Sequence, residues 1–306
     1  MANVQINLND LKLFDDININ EYFGDWIHNI DELSVKFKSN DNFNHIIIPN
    51  FLNSDYAELL YDKFPKDYEK EVEGNSSGTY GMSRIKDFNL YCNPLEVKYI
   101  NDDLKLMDKE YYNYFHILST NKIVNIFSKL SGIPTLEYDP YLLASGLHSH
   151  PRYGRNNIHL DYEKHPILEN KERRLNIILY LTKNWKKEWG GDTQLWNEDI
   201  TKCYSKSHVE FNKACIFITN DIGWHGVPDI MLCPEGTFRK TLCYTYISPL
   251  INAKRTRSIF YTPEIAYKIP KLKKLYDIRG KRRIEKEDMD NIWPEWKPKL
   301  NPINYK

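Results

Sequence analysis

From Pro134 onward the chain is a succession of short segments rich in Tyr, Ile, Thr and Leu, namely EYDPYLLAS, NNIHLDY, LNIILYLT, DTQLWN, ACIFITN and KTLCYTYIS, each set off by a turn cluster. No helical pattern lies between them, so the crossovers that join parallel strands are missing. The segments therefore predict an antiparallel sandwich or barrel over about residues 135–250. Helices are expected mostly before it. Asn53 and Ser54 are good N-caps for a segment in which Tyr56, Leu59, Leu60 and Phe64 share one face, and Pro65 ends it. A second helix is predicted within 103–131, where Ile123, Val124, Phe127 and Leu130 form a stripe and Gly132 stands at the stop. HIIIPNF (His45–Phe51) reads as a short buried strand, and the Gly/Ser-rich run at 73–84 as a loop and candidate lid.

Composition narrows the class of protein. With 42 Lys+Arg against 42 Asp+Glu there is no overall basic field of the kind a nucleic-acid packaging protein needs. A hydrophobic fraction of 41% and a charged fraction of 27% exclude wholesale disorder. Cys92, Cys203, Cys215, Cys233 and Cys243 are odd in number and contain no C-x-x-C pair, which argues against a disulfide framework or a thiolate zinc site and for a reducing compartment. The N-terminus lacks a basic start and apolar run, and the longest apolar stretch, Ile177 to Leu181, is far too short to span a bilayer. The expectation is a soluble, cytoplasmic protein in three parts: a strand-and-helix support region over 1–134, the β core over 135–250 and an extension over 251–306. The extension carries 15 Lys+Arg and 7 Asp+Glu. Ile269, Leu272 and Leu275 sit at helical spacing within it, so a basic helix packed on the outside of the core is preferred to a polyanion-binding tail.

The chemistry is concentrated in a few positions. Residues two apart in a strand face the same side, so His159 and Asp161 of NNIHLDY can aim an imidazole and a carboxylate at one point. That is two thirds of a 2-His-1-carboxylate iron site, and His225 of WHGVPD, 66 residues later, can supply the rest. Arg239 opens the strand RKTLCYTYIS. A guanidinium pointing into a barrel needs a carboxylate, which it holds through two parallel hydrogen bonds. A dicarboxylate that chelates a metal at one end would present its far carboxylate there.

The ordered blocks GLHSHPRYGRNNIHLDY, RRLNIILYLTKNWKKEWGGDTQLWN, FNKACIF, WHGVPD and RKTLCYTYIS resemble the iron(II)/2-oxoglutarate-dependent dioxygenases of the prolyl-hydroxylase-like superfamily. The resemblance covers about residues 145–250, with a weaker echo at HIIIPNFLNSDYAELL. It implies an α+β fold with a mainly β core: a double-stranded β-helix (jelly-roll) barrel with supporting N-terminal helices and a helical basic C-terminal extension. It implies that His159, Asp161 and His225 bind Fe(II) and that Arg239 binds the distal carboxylate of 2-oxoglutarate. Tyr180 falls where many members place a hydroxyl on that carboxylate, and His148 falls in the Gly-x-His block that faces co-substrate or substrate. Gly190, Gly191, Asn176 and Trp196 match positions read as structural. Thr193 departs from the usual apolar residue after Gly-Gly, and Thr245 from a Trp found in some peptidyl-prolyl members.

The activity implied is hydroxylation of an unactivated C–H, with 2-oxoglutarate and O2 consumed, succinate and CO2 released, and ascorbate as a possible accessory. Thr245 and the absence of an evident peptide groove turn the expected substrate towards a small molecule or saccharide, with a prolyl or other protein residue as the alternative. A non-catalytic or cupin-like metal-binding barrel is the second alternative. A membrane or nucleic-acid partner is not expected, and oligomeric state is left open.

Overall fold

The computed structural model describes residues 3–39, 43–66 and 80–303. Residues 73–79 of the candidate lid, with Gly74 and Gly78, lie outside these; its end, 81–84, belongs to a strand. Among the described residues the strands are β1 (His45–Ile48), β2 (Gly81–Ile85), β3 (Phe88–Cys92), β4 (Glu96–Asn101), β5 (Glu137–Tyr138), β6 (Gly146–His150) and β7 (Arg155–Leu160). They continue with β8 (Lys171–Tyr180), β9 (Thr193–Trp196), β10 (Cys203–Ser207), β11 (Lys213–Ile218), β12 (His225–Val227), β13 (Arg239–Pro249) and β14 (Ile259–Phe260). They form one sheet in the order β1-β11-β8-β13-β6-β4-β7-β12-β9-β10, with β5, β14 and the β2-β3 hairpin attached at its sides. Every pairing is antiparallel. The result is a jelly-roll barrel with supporting helices. Strand β4 links its two sides, since Glu96 and Val97 pair with β7 while Tyr99 to Asn101 pair with β6. The sheet thus recruits β1 to β4 from before residue 135.

The helices are α1 (Leu8–Leu11), α2 (Ile30–Lys38), α3 (Ser54–Lys63), α4 (Lys109–Ser119), α5 (Asn121–Ser131), α6 (Glu264–Lys268), α7 (Pro270–Lys281) and α8 (Lys286–Ile292). Asn53 caps α3 by accepting from the Asp55 amide. The expected helix at 103–131 is two helices, because Thr120 has an extended ψ of 147° and caps the second of them. Gly132, with φ 73°, closes α5 in the left-handed conformation that favours glycine.

Period-two alternation divides the barrel strands between core and cavity. On β8, Leu175, Ile177 and Leu179 join one apolar cluster with Phe115, Ile117, Phe127 and Leu130 of α4 and α5. On β13, Leu242, Tyr244 and Tyr246 face the same cluster, while Arg239, Thr241, Cys243 and Thr245 line the interior cavity. Burying these large side chains on the helix side fixes the polar ones on the other, because a one-residue slip would exchange the two sets.

The C-terminal extension is fastened to this frame. Leu272, Leu275, Tyr276, Met289 and Trp296 lie in the main core. Arg155 of β7 donates to the carbonyl oxygens of Pro94 and Pro298, and its guanidinium lies 5.4 Å from the Trp296 ring centre. Arg279 of α7 reaches Glu96 of β4 at 2.9 Å, and Lys98 approaches the same carboxylate at 3.0 Å. Burial works against ionisation of Glu96, but Arg279 and Lys98 overcome it and hold the carboxyl well below the usual carboxylate range. Its stabilising contribution is therefore in place above that range and is lost only as pH falls well beneath it. Glu96→Gln leaves two buried cations without their carboxylate. We expect it to cost about 3–5 kcal/mol, read as a fall in urea midpoint at neutral pH. An unchanged midpoint would show that the extension is held without the Glu96 ion pairs. Among the described residues no helix is long and apolar enough to cross a membrane.

Candidate active site

His159 lies near the end of β7, Asp161 follows one residue past its end, and His225 opens β12 directly across from His159 in the β-ladder. The close approach of β12 to β7 depends on Gly226, where a Cβ would come within 2.8 Å of the Asn156 carbonyl oxygen. The two imidazole centres are 4.4 Å apart. His159 stacks on Phe260 and His225 packs against Phe217, which fixes both ring planes.

Each ring is also fixed in tautomer. Nδ1 of His159 is 2.8 Å from the Asn157 carbonyl oxygen, and Nδ1 of His225 is 2.9 Å from that of Gly223. A carbonyl oxygen only accepts, so Nδ1 carries the proton and the neutral ring presents a bare Nε2. Those Nε2 atoms lie 3.6 Å and 3.3 Å from the two oxygens of Asp161. Two ring nitrogens and a carboxylate thus converge within 4.8 Å of one another, a set of donors that suits a divalent metal. Among the described residues this is the one such cluster. Burial, followed by the neighbouring His225, pushes His159 down and keeps it neutral.

Asp161 is held by residues that sequence reading took as structural or passed over. Asn176 donates to it at 2.8 Å, and Arg173 lies 3.3 Å from its other oxygen. The Arg173 guanidinium also donates twice to the side-chain Oδ1 of Asn176, at 2.9 and 2.7 Å, and Thr245 donates there at 3.1 Å. Burial opposes ionisation of Asp161, but the Arg173 guanidinium holds its carboxyl well below the usual range. A sequence signal for Asn176 exists in its match to the family pattern; Arg173 gives none, because a bulge decides which way it points. The β8–β13 register shifts between Tyr246 and Ile247, which brings Arg173 to the same side as Asn176.

The cluster faces a cavity of about 400 Å³ whose wall also includes Arg239, Thr193, His148 and His150. Arg239 is 1% exposed and donates from Nε to the Gly191 carbonyl oxygen at 2.7 Å and from Nη2 to Thr193 Oγ1 at 3.0 Å. Among the described residues no carboxylate pairs with it. Gly190 and Gly191 have φ of 73° and 86°, so the tight turn does require glycine, and the same turn aims a carbonyl at Arg239. Tyr180 meets Arg239 through its ring, 5.0 Å from the guanidinium carbon. Its hydroxyl is engaged by Thr193 and by the Ser207 carbonyl oxygen. The cavity-facing hydroxyl beside Arg239 thus belongs to Thr193.

His148 and His150 stand on β6 opposite Thr241 and Arg239. Burial, Lys98, Arg239 and Arg173 push His148 down to about 3. Its Nε2 and both ring nitrogens of His150 are buried without a partner among the described residues, so this part of the wall is prepared for a polar ligand. His165 is committed elsewhere: it accepts from the Ile167 and Leu168 amides and faces Asp139 at 3.3 Å.

Residues 146–247 match the model of the 2OG-Fe(II) oxygenase superfamily. That span is about a third of the chain, and over it the sequence resembles the superfamily. The motif blocks quoted from the sequence, from Gly146 to the strand that Arg239 opens, lie in that span. Among solved structures, the chain is similar to a prolyl-4-hydroxylase from Pseudomonas putida, at 13% identity over 72% of this chain and 99% of that one, with a TM-score of 0.45. It is similar to a prolyl hydroxylase from Trichoplax adhaerens in complex with a hypoxia-inducible-factor oxygen-degradation-domain peptide, at 15% identity over 74% and 94% and a TM-score of 0.44. A third is HygX from Streptomyces hygroscopicus with nickel and 2-oxoglutarate bound, at 10% identity over 72% and 87% and a TM-score of 0.39. No curated protein matches the sequence.

Proposed function

We propose that this oxygenase hydroxylates an unactivated C–H of a small molecule or saccharide, with His159, Asp161 and His225 as the iron ligands and Arg239 as the clamp for 2-oxoglutarate. The observation that carries the reading is the pair of bare Nε2 atoms facing an ionised carboxylate, on one cavity with a buried guanidinium that lacks an acidic partner. A facial 2-His-1-carboxylate set leaves open positions for co-substrate and dioxygen. When bound, iron couples decarboxylation of 2-oxoglutarate to oxygen insertion into the substrate, yielding succinate and CO2.

The chain's own residues position and exclude. Asn157 and Gly223 keep the imidazoles in the ligating tautomer through the Nδ1 proton, the usual task of such outer partners. Asn176 and Arg173 hold the Asp161 carboxylate in one orientation and keep it charged. Arg239 offers its guanidinium, and Thr193 its hydroxyl, to the distal carboxylate, while Tyr180 backs both. His148 and His150, neutral through burial, can donate or accept towards the bound acids without adding charge.

The small-molecule reading is supported by how the mouth is built. Thr256 to Ser258, Phe260, Arg279 and Arg283 of the C-terminal extension line one side of the cavity. Leu143 and Ala144 line another, in a turn where Leu142 and Ala144 take positive φ. That turn is pinned, because Asp139 accepts from the Tyr141 and Leu143 amides and Tyr162 donates to the Leu143 carbonyl oxygen. A preformed, walled opening suits a compact substrate better than an extended chain.

The test begins anaerobically. Wild-type protein with Fe(II) and 2-oxoglutarate should develop the metal-to-ligand charge-transfer band of the chelated co-substrate. In air, succinate release should rise with sugars or amino acids and not with peptides. A well-folded protein that gives no band across pH and iron concentration would overturn the site assignment. A response confined to peptides would overturn the substrate class.

A further inference from the structure

Six cationic side chains line the cavity, and only three carboxylates do: Glu96, Asp102 and Asp161. Two of these are already claimed. Asp161 serves Arg173, and Glu96 is shared by Arg279 and Lys98. Asp102 is exposed at the rim, where it accepts from Asn89 and is not within ion-pair distance of an arginine. With Arg239 reserved for the co-substrate, two guanidinium groups at the mouth remain. Arg257 and Arg283 are both exposed, and among the described residues neither has a carboxylate within 4.0 Å. Arg283 lies flat on the Tyr91 ring at 4.5 Å, which directs its donors without neutralising them. Burial together with Arg279 and Arg283 depresses the Arg257 pKa, so these three groups crowd one another. Glu96 neutralises Arg279, but Arg257 and Arg283 have no carboxylate at ion-pair distance among the described residues, an arrangement that a bound anion relieves.

We propose that the mouth is a subsite for an anionic oxyacid group of the substrate, a carboxylate or a phosphate, gripped by Arg257 and Arg283 while the C–H to be oxidised extends inward. The proposal rests on reading this cavity as the oxygenase active site and adds the charge class of the substrate. It also gives the basic extension a specific task. Lys273 and Arg282 are occupied by Asp277 and Asp288 on their own helices or the next one, whereas Arg283 reaches the cavity wall. The extension's positive charge is thus partly spent on itself and partly aimed at the mouth.

The experiment titrates the full-length protein, loaded anaerobically with Fe(II) and 2-oxoglutarate, with inorganic phosphate and separately with acetate by calorimetry at low ionic strength. Wild type should bind at least one of them, and the tighter of the two names the oxyacid. Arg257→Gln/Arg283→Gln should weaken that binding about tenfold or more, and Arg257→Gln alone should weaken it in part. Both residues are exposed and, among the described residues, unpaired with acid, so loss of folding is not expected to intervene, and circular dichroism checks this. Equal binding by wild type and the double variant, or none by wild type, overturns the subsite. The charge-transfer band of the wild-type complex separates the two layers. If it is absent, the oxygenase reading fails; if it is present without phosphate or acetate binding, only the subsite fails.

Discussion

Asp161→Ala is expected to abolish stabilisation of the protein by divalent metal and to remove the Fe(II)–2-oxoglutarate charge-transfer band. The carboxylate is the one anionic donor of the triad, and both Nε2 atoms face it. Altering outer partners of metal ligands already costs about 10–100-fold in affinity, so removing a ligand itself should exceed that. In wild type, metal at a hundred times its Kd adds about 2.7 kcal/mol. In a protein of this size that is a Tm rise of roughly 5 °C. The variant should show no such rise at the same concentration. The shift on adding Mn(II), and not the absolute Tm, is the quantity to compare, because the substitution also strips Arg173 of its carboxylate and lowers the apo stability. Asp161→Asn keeps the shape and much of the hydrogen bonding, so it isolates the loss of the negative donor. An Asp161→Ala protein that gains as much from Mn(II) as wild type would place the metal elsewhere.

What could be read from the sequence, and what could not, follows from how far each feature depends on contacts between distant segments. His159, Asp161 and His225 were singled out because an H-x-D pair in a strand is local and a third donor was sought downstream; in the structure their donor atoms lie within 4.8 Å of one another. Arg239 was legible because a guanidinium in an apolar strand demands an explanation. Strand β4 was missed, since Glu96, Lys98 and Asn101 break its apolar alternation and Glu96 meets the guanidinium of Arg279 only from far along the chain. Arg173 was invisible because the bulge that turns it inward leaves no local mark. Thr193 was seen as a departure from the family pattern, but its meaning needed the third dimension: it receives the Arg239 guanidinium and engages the Tyr180 hydroxyl at once. Tyr180 was singled out for its hydroxyl, and the structure shows what that hydroxyl touches.

Arg239→Ala is expected to raise the 2-oxoglutarate concentration needed for half-maximal charge-transfer absorption by roughly 30- to several-thousand-fold. Truncating one partner of a buried, hydrogen-bonded charge pair costs about 2–5 kcal/mol, and 1.4 kcal/mol is a factor of ten. The decisive comparison is with 2-oxobutanoate, which has the chelating 2-oxo acid but no distal carboxylate. Wild type should bind it far more weakly than 2-oxoglutarate, and the variant should barely distinguish the two, since the group that reads the difference is gone. Arg239→Lys keeps the charge but loses the planar fork that holds Gly191 and Thr193 while facing the ligand, so it should fall between the others. The variant also leaves the Gly191 carbonyl oxygen unpaired, and some loss of stability is expected on that account. Discrimination between the two acids is insensitive to that loss, because both are measured on the same folded protein. If folded Arg239→Ala still prefers 2-oxoglutarate as strongly as wild type does, the distal carboxylate lies elsewhere, and Lys98, on the same cavity wall, becomes the group to test.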